Sequence, residues 1–87
     1  LGDSMLDTSY RVTTFAHDNA AGRTTATVEF HPVIRRHVSH VSPERIDVKV
    51  YEWERGAVTT SRVVKLPEAH RLAEAYAVKG WRMEQWG

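Results

Sequence analysis

The chain has 87 residues, of which 41% are hydrophobic and 26% charged, and its formal net charge is +1. This length fits one domain, and the composition excludes extensive disorder. A near-neutral charge is not the basic excess typical of duplex DNA-binding proteins, and the absence of cysteine excludes disulfides and thiolate metal sites. No apolar run is long enough to cross a membrane, so we expect a cytoplasmic protein with no membrane partner.

Residues 1–4 precede a methionine, Met5, and we interpret them as a remnant of an expression vector, which leaves 5–87 as one α+β domain. Two strands are predicted next, over 9–17 and 24–31, because apolar and polar residues alternate there and the second run is rich in β-branched residues. The cluster at 18–23 predicts the turn that joins them as a hairpin. Residues 32–43 fit a short helix and a bent strand equally well.

A second hairpin is predicted over 46–66, where apolar residues alternate with polar ones around a turn at 54–56. A three-residue loop ending in Gly56 places Trp53 opposite Ala57, and the face of Val50 then includes Arg62. A two-residue loop places Trp53 opposite Val58 and turns the whole partner strand over. The sequence leaves this register open.

A helix is predicted from Pro67 to its cap at Gly80, with an apolar stripe of Ala69, Leu72, Ala73, Tyr76 and Ala77. Trp81 follows where a hydrophobic residue often folds back onto the last turn, and 81–86 alternates as a fifth strand would. The predicted fold is therefore α+β: an antiparallel sheet of four strands, or five with the tail, in two hairpins, with one C-terminal helix on one face. The face of the sheet away from the helix is then exposed to solvent or covered by a second subunit.

The strongest candidate site is the row of Lys49, Tyr51 and Trp53. Alternation places these three residues on one face of the strand and Val48 and Val50 on the other. Two aromatic rings and a cation suit single-stranded nucleic acid, because bases stack on rings and phosphates attract charge. The same rings suit packing against Trp81 or Trp86, or a protein interface, where Trp and Tyr are enriched. Arg62 joins this row in one hairpin register only. We favour the interface.

Metal binding and catalysis have weaker support. His31, His37 and His40 fall within ten residues, and His37 and His40 have a spacing that binds zinc on a helix, but no cysteine or carboxylate cluster completes a site. No phosphate loop, nucleophile elbow or paired acid motif occurs. We therefore expect no enzyme, no cofactor and no metal.

The order of four strands followed by a helix resembles that of single-strand-binding coactivator and Whirly-type domains, in topology alone. In those families a sheet face meets nucleic acid and the helices mediate dimerisation. The residues themselves favour a non-enzymatic protein-interaction module whose interface is an aromatic-containing sheet face or the helix. Its partner is a second copy of the chain, in a homo-oligomer, or another protein. The alternative is a single-stranded DNA- or RNA-binding domain.

Overall fold

The computed structural model describes residues 12–33 and 43–86. In chain order, the elements of these residues are β1 Val12–Asp18, β2 Thr24–Pro32, a 3-10 turn at Pro43–Arg45, β3 Asp47–Glu54, β4 Ala57–Lys65, α1 Leu66–Val78 and β5 Arg82–Trp86. The predicted α+β fold is confirmed, and the tail forms the fifth strand. Residues 9–11 of the first predicted strand and residues 34–42, where helix and strand were left open, lie outside the described residues.

The sheet has the order β4-β3-β2-β1-β5, and every neighbouring pair is antiparallel. The first four strands form a meander, in which β2 also pairs with β3, so the two predicted hairpins are adjacent parts of one sheet. The helix then carries the chain back across the sheet, and β5 pairs with β1. This path leaves β4 at one edge and β5 at the other.

The core lies between α1 and one face of the sheet. Phe15, Phe30 and Val48 are each 0% exposed, and they face two helix alanines, Ala69 and Ala73, which are also fully buried. The rings of Phe15 and Phe30 meet edge to face with centroids 5.9 Å apart, an arrangement that aromatic quadrupoles favour. Each large apolar side chain buried here contributes about 1.5–3 kcal/mol to folding.

The helix buries the stripe that its sequence predicts. Ala69 and Ala73 are buried, and Leu72, Tyr76 and Ala77 pack beside them, partly exposed, against the core. Small alanines let the helix backbone approach the sheet closely. The helix begins at Leu66, one residue before the predicted start, where the Leu66 N–H donates to the Ile46 carbonyl over 2.9 Å.

The helix ends in the predicted glycine cap. Gly80 has a φ of +88°, its N–H donates to the Ala77 carbonyl, and the N–H of Trp81 donates to the Tyr76 carbonyl. These two bonds form a Schellman motif, which satisfies carbonyls that the helix end leaves free. The Trp81 ring lies 4.8 Å from the Tyr76 ring, centroid to centroid, so the residue after the cap folds back as expected.

Candidate interaction surface

Lys49, Tyr51 and Trp53 lie on the face of the sheet opposite the helix, which we call the open face. They alternate along β3 with Val48 and Val50, which are 0% and 1% exposed against the helix. Lys49 is exposed, and the two aromatic residues are half-buried. The helix packs on the other face of the described sheet. The row predicted from alternation is therefore present as one surface.

Tyr51 is held in place by its neighbours on β2. Glu29 lies directly opposite Tyr51 in the register, and His31 is the next residue on the same face. The His31 Nε2 and Glu29 Oε1 atoms are 3.0 Å apart, and the His31 ring meets the Tyr51 ring edge to face at 5.2 Å. The carboxylate orients the imidazole, and the imidazole supports one side of the phenol ring.

Trp53 forms part of the wall of a shallow pocket of about 310 Å³. The other lining residues come from β2 and the β3–β4 turn: Thr24, Thr25, Ala26, Thr27, Glu29, Arg55 and Gly56. The Trp53 indole Nε1 is shielded from solvent, and no residue of the described ranges 12–33 and 43–86 accepts a hydrogen bond from it.

The β3–β4 hairpin combines features of both predicted registers. Its loop has two residues, Arg55 and Gly56, with φ of +54° and +81°, and it places Trp53 opposite Val58. The register then shifts by one residue, so that Glu52 lies opposite Thr60 and Val50 opposite Arg62. Thr59 is the extra residue of this β-bulge, and its hydroxyl donates to the Glu52 carbonyl over 3.2 Å.

The bulge separates Arg62 from the row of Lys49, Tyr51 and Trp53. Because Arg62 lies opposite Val50, it belongs to the helix face of the sheet. The same bulge leaves Val58 and Val63 on the open face, opposite Trp53 and Lys49. These two valines are 45% and 58% exposed. Tyr51, Trp53, Val58 and Val63 lie at the β3–β4 end of the open face, which they share with Lys49 and Ser61, and we call these four residues the apolar patch.

The structure locates the ring of Trp81 and the backbone of Trp86, the two tryptophans of the C-terminal tail. Trp81 lies on the helix side, where its ring contacts Tyr76 and lies 5.2 Å from the His17 ring. It therefore does not pack on Tyr51 or Trp53. Trp86 is the last residue of β5, where its backbone pairs with Val12, four strands away from the exposed edge of β4.

Charges on the open face are largely paired within the chain. Lys65 Nζ lies 2.7 Å from Asp47 Oδ1, next to the apolar patch. At the far end, Arg82 Nε donates to Asp18 Oδ2 over 3.1 Å, and Arg82 also contacts Glu84. The hydrogen bond from Arg82, followed by one from the Thr24 hydroxyl, lowers the pKa of Asp18 below its ordinary 3.8. Among the described residues, cations and carboxylates are thus mixed on this face and form no basic stripe.

Of the three candidate metal ligands, only His31 can be located, because His37 and His40 lie outside the described residues. Its ring contacts Glu29 and Tyr51. Within residues 12–33 and 43–86, no group of three or more histidine, aspartate or glutamate side chains is arranged to hold a metal ion.

Comparison of the chain with protein-family models, curated proteins and solved structures finds no match. In the described part of the chain, no helix has the length and apolarity needed to cross a bilayer.

Proposed function

We propose that this chain is a small non-enzymatic interaction module that forms a homo-oligomer through the apolar patch of Tyr51, Trp53, Val58 and Val63. The observation that carries the proposal is the exposure of this patch beside an unpaired sheet edge. Val63 is 58% exposed although it adjoins the central part of β3. Contiguous exposed apolar surface that includes Trp and Tyr is typical of protein interfaces.

The surrounding charges support a protein partner over a nucleic acid. Lys49 and Tyr51 share the open face, which is the feature that favours single-strand binding. However, Glu29 lies opposite Tyr51, Lys65 is neutralised by Asp47, and Arg62 lies on the helix face. A phosphate backbone crossing this face would meet carboxylates as often as cations, whereas a polar rim of paired charges around an apolar centre suits a protein interface.

Light scattering over a range of protein concentrations tests the proposal. The parent is expected to reach at least twice the 9.9 kDa mass of one chain. Val63→Lys, which places a charge in the patch, is expected to weaken association by roughly tenfold or more, since buried interface positions carry most of the binding energy. Val78→Lys is the matched control, because Val78 is 83% exposed on the helix.

A parent that stays monomeric at every concentration contradicts the proposal, and so does equal weakening by Val63→Lys and Val78→Lys. The nucleic-acid alternative has its own measurement. Titration of labelled single strands at two salt concentrations would favour it if tight binding weakens steeply with salt, and if Tyr51→Ala and Lys49→Ala both reduce that binding.

A further inference from the structure

The outer edge of β4 is the largest unpaired backbone edge of the described sheet. β4 has nine residues, and all of them except Val64 are exposed. The opposite edge strand, β5, has five residues and carries Arg82 and Glu84. Short length, charges and prolines are the usual means of protecting an edge from pairing with another strand. Beyond its bulge at Thr59, β4 has no proline, and one of its two charges, Lys65, is already paired with Asp47.

We propose that two copies of the chain pair antiparallel along β4, around a two-fold axis at Val63, to form a continuous ten-stranded sheet. This inference rests on the proposed homo-oligomer and narrows its contact to the β4 edge and Val63, so that Tyr51, Trp53 and Val58 of the apolar patch lie outside the pairing. Both helices would then cover one face of the joined sheet, and the two apolar patches would lie on the other. Edge pairing satisfies the free N–H and C=O groups of both strands at once.

Symmetry limits the register to a few choices. A two-fold axis perpendicular to the sheet keeps the helices on one side, and it requires that one residue pair with its own copy. An axis at Arg62 places two guanidinium groups opposite each other, which is unfavourable. An axis at Ser61 brings Val63 opposite Thr59, so regular pairing stops at the bulge after one further residue on each side.

An axis at Val63 avoids both problems. It pairs 61–65 with 65–61 of the second copy, and this segment lies wholly in the regular part of β4. Val63, the more exposed of the two patch valines, meets its own copy, so the axis buries apolar surface. Arg62 lies opposite Val64 and Lys65 opposite Ser61, so no like charges face each other. The two Lys49 residues are three strand spacings apart, roughly 14 Å, which exceeds the Debye length at physiological salt.

Single-cysteine variants test this register, and the absence of native cysteine makes the experiment clean. Val63→Cys places two thiols on adjacent strands directly opposite each other, about 5 Å apart between Cα atoms, whereas Ser61→Cys separates them by roughly 14 Å. With a short bismaleimide linker, Val63→Cys is expected to form covalent dimers roughly tenfold faster than Ser61→Cys, since only the first pair is within direct reach. Glu74→Cys, exposed on the helix, is the control.

The outcomes separate this inference from the proposed function. A parent that associates, with cross-linking fastest at Ser61→Cys or equal at all three positions, overturns the edge pairing but leaves the homo-oligomer. A monomeric parent overturns both. Trp53→Ala adds an independent measurement: Trp53 lies beside Val58, about 17 Å along the strand from the axis, so edge pairing predicts that this variant keeps the dimer. Loss of the dimer in Trp53→Ala, with the fold intact by circular dichroism, overturns the β4 pairing in favour of face-to-face packing.

Discussion

Replacing Gly80 by alanine tests whether the helix end is held by backbone geometry alone. Gly80 has a φ of +88°, a region that L-amino acids adopt at a cost, and its N–H completes the Schellman motif with Ala77. A Cβ built on Gly80 meets no heavy atom within 4 Å. Clash with residues beyond the two chain neighbours therefore contributes nothing, and the effect of the substitution comes from the local backbone conformation.

The size of that effect follows from the cost of the left-handed conformation, about 1–2 kcal/mol for a residue with a Cβ. For a domain of this size, each kcal/mol lowers the melting temperature by roughly 4–8 °C. Gly56 provides a matched comparison, because its φ is +81° and its Cβ position is equally empty. We expect Gly80→Ala and Gly56→Ala to destabilise the fold by similar amounts, although one caps a helix and the other closes a hairpin.

Urea unfolding monitored by tryptophan fluorescence and far-UV circular dichroism gives the free energies. Gly80→Asn is expected to recover part of the loss, since asparagine tolerates positive φ better than alanine does. A loss above about 3 kcal/mol for Gly80→Ala would mean that the side chain disrupts packing and not only the backbone. An alanine variant as stable as the parent would show that the cap relaxes without cost.

Two further predictions concern pH. Burial, with a smaller contribution from Glu52, raises the pKa of Tyr76 above its ordinary 10.0, so the folded state holds this proton more tightly than the unfolded state does. The stability that this proton contributes is present below pH 10 and is lost as the pH rises through the pKa of the folded state. The free energy of unfolding of Tyr76→Phe should therefore fall less between pH 9 and pH 11 than that of the parent. An equal fall in both proteins contradicts the raised pKa of Tyr76. Hydrogen bonds from Arg82 and Thr24 lower the pKa of Asp18 below 3.8, so its contribution is present above that pH and lost below it. The difference in melting temperature between the parent and Asp18→Asn should therefore shrink on acidification, and a constant difference would show that the carboxylate charge has no part in it.

Much of the fold could be predicted because local patterns and tertiary packing agree. Val48 and Val50 alternate with polar residues and are buried, and the helix stripe and its glycine cap lie where periodicity placed them. The same alternation predicted that Lys49, Tyr51 and Trp53 lie on the opposite face of β3. Trp81 was placed correctly on the helix end, but its ring then packs on Tyr76 and His17, away from Trp53. Alternation within one segment cannot tell which face a residue after a helix will meet.

The hairpin register required information from two strands at once, and the bulge at Thr59 reconciles two local preferences. The pair Arg55 and Gly56 adopts positive φ at both positions, which gives the two-residue turn that matches strand twist. Continued without a bulge, that turn would place Arg62 opposite Lys49 and Val64 opposite Asp47. The inserted residue removes the like-charge pair and brings Val64 opposite Val48 in the core.

The same shift forms the ion pair of Lys65 with Asp47, whose atoms are 2.7 Å apart. Charge and core packing therefore act together in choosing the register, and comparison of cross-strand pairs on both sides of the turn would have revealed it in the sequence. The functional consequence is direct. Because the shift sends Arg62 to the helix face and leaves Val63 on the open face, it makes the surface beside Tyr51 and Trp53 apolar instead of basic. The bulge of one residue thus supports the proposed protein interface at this surface.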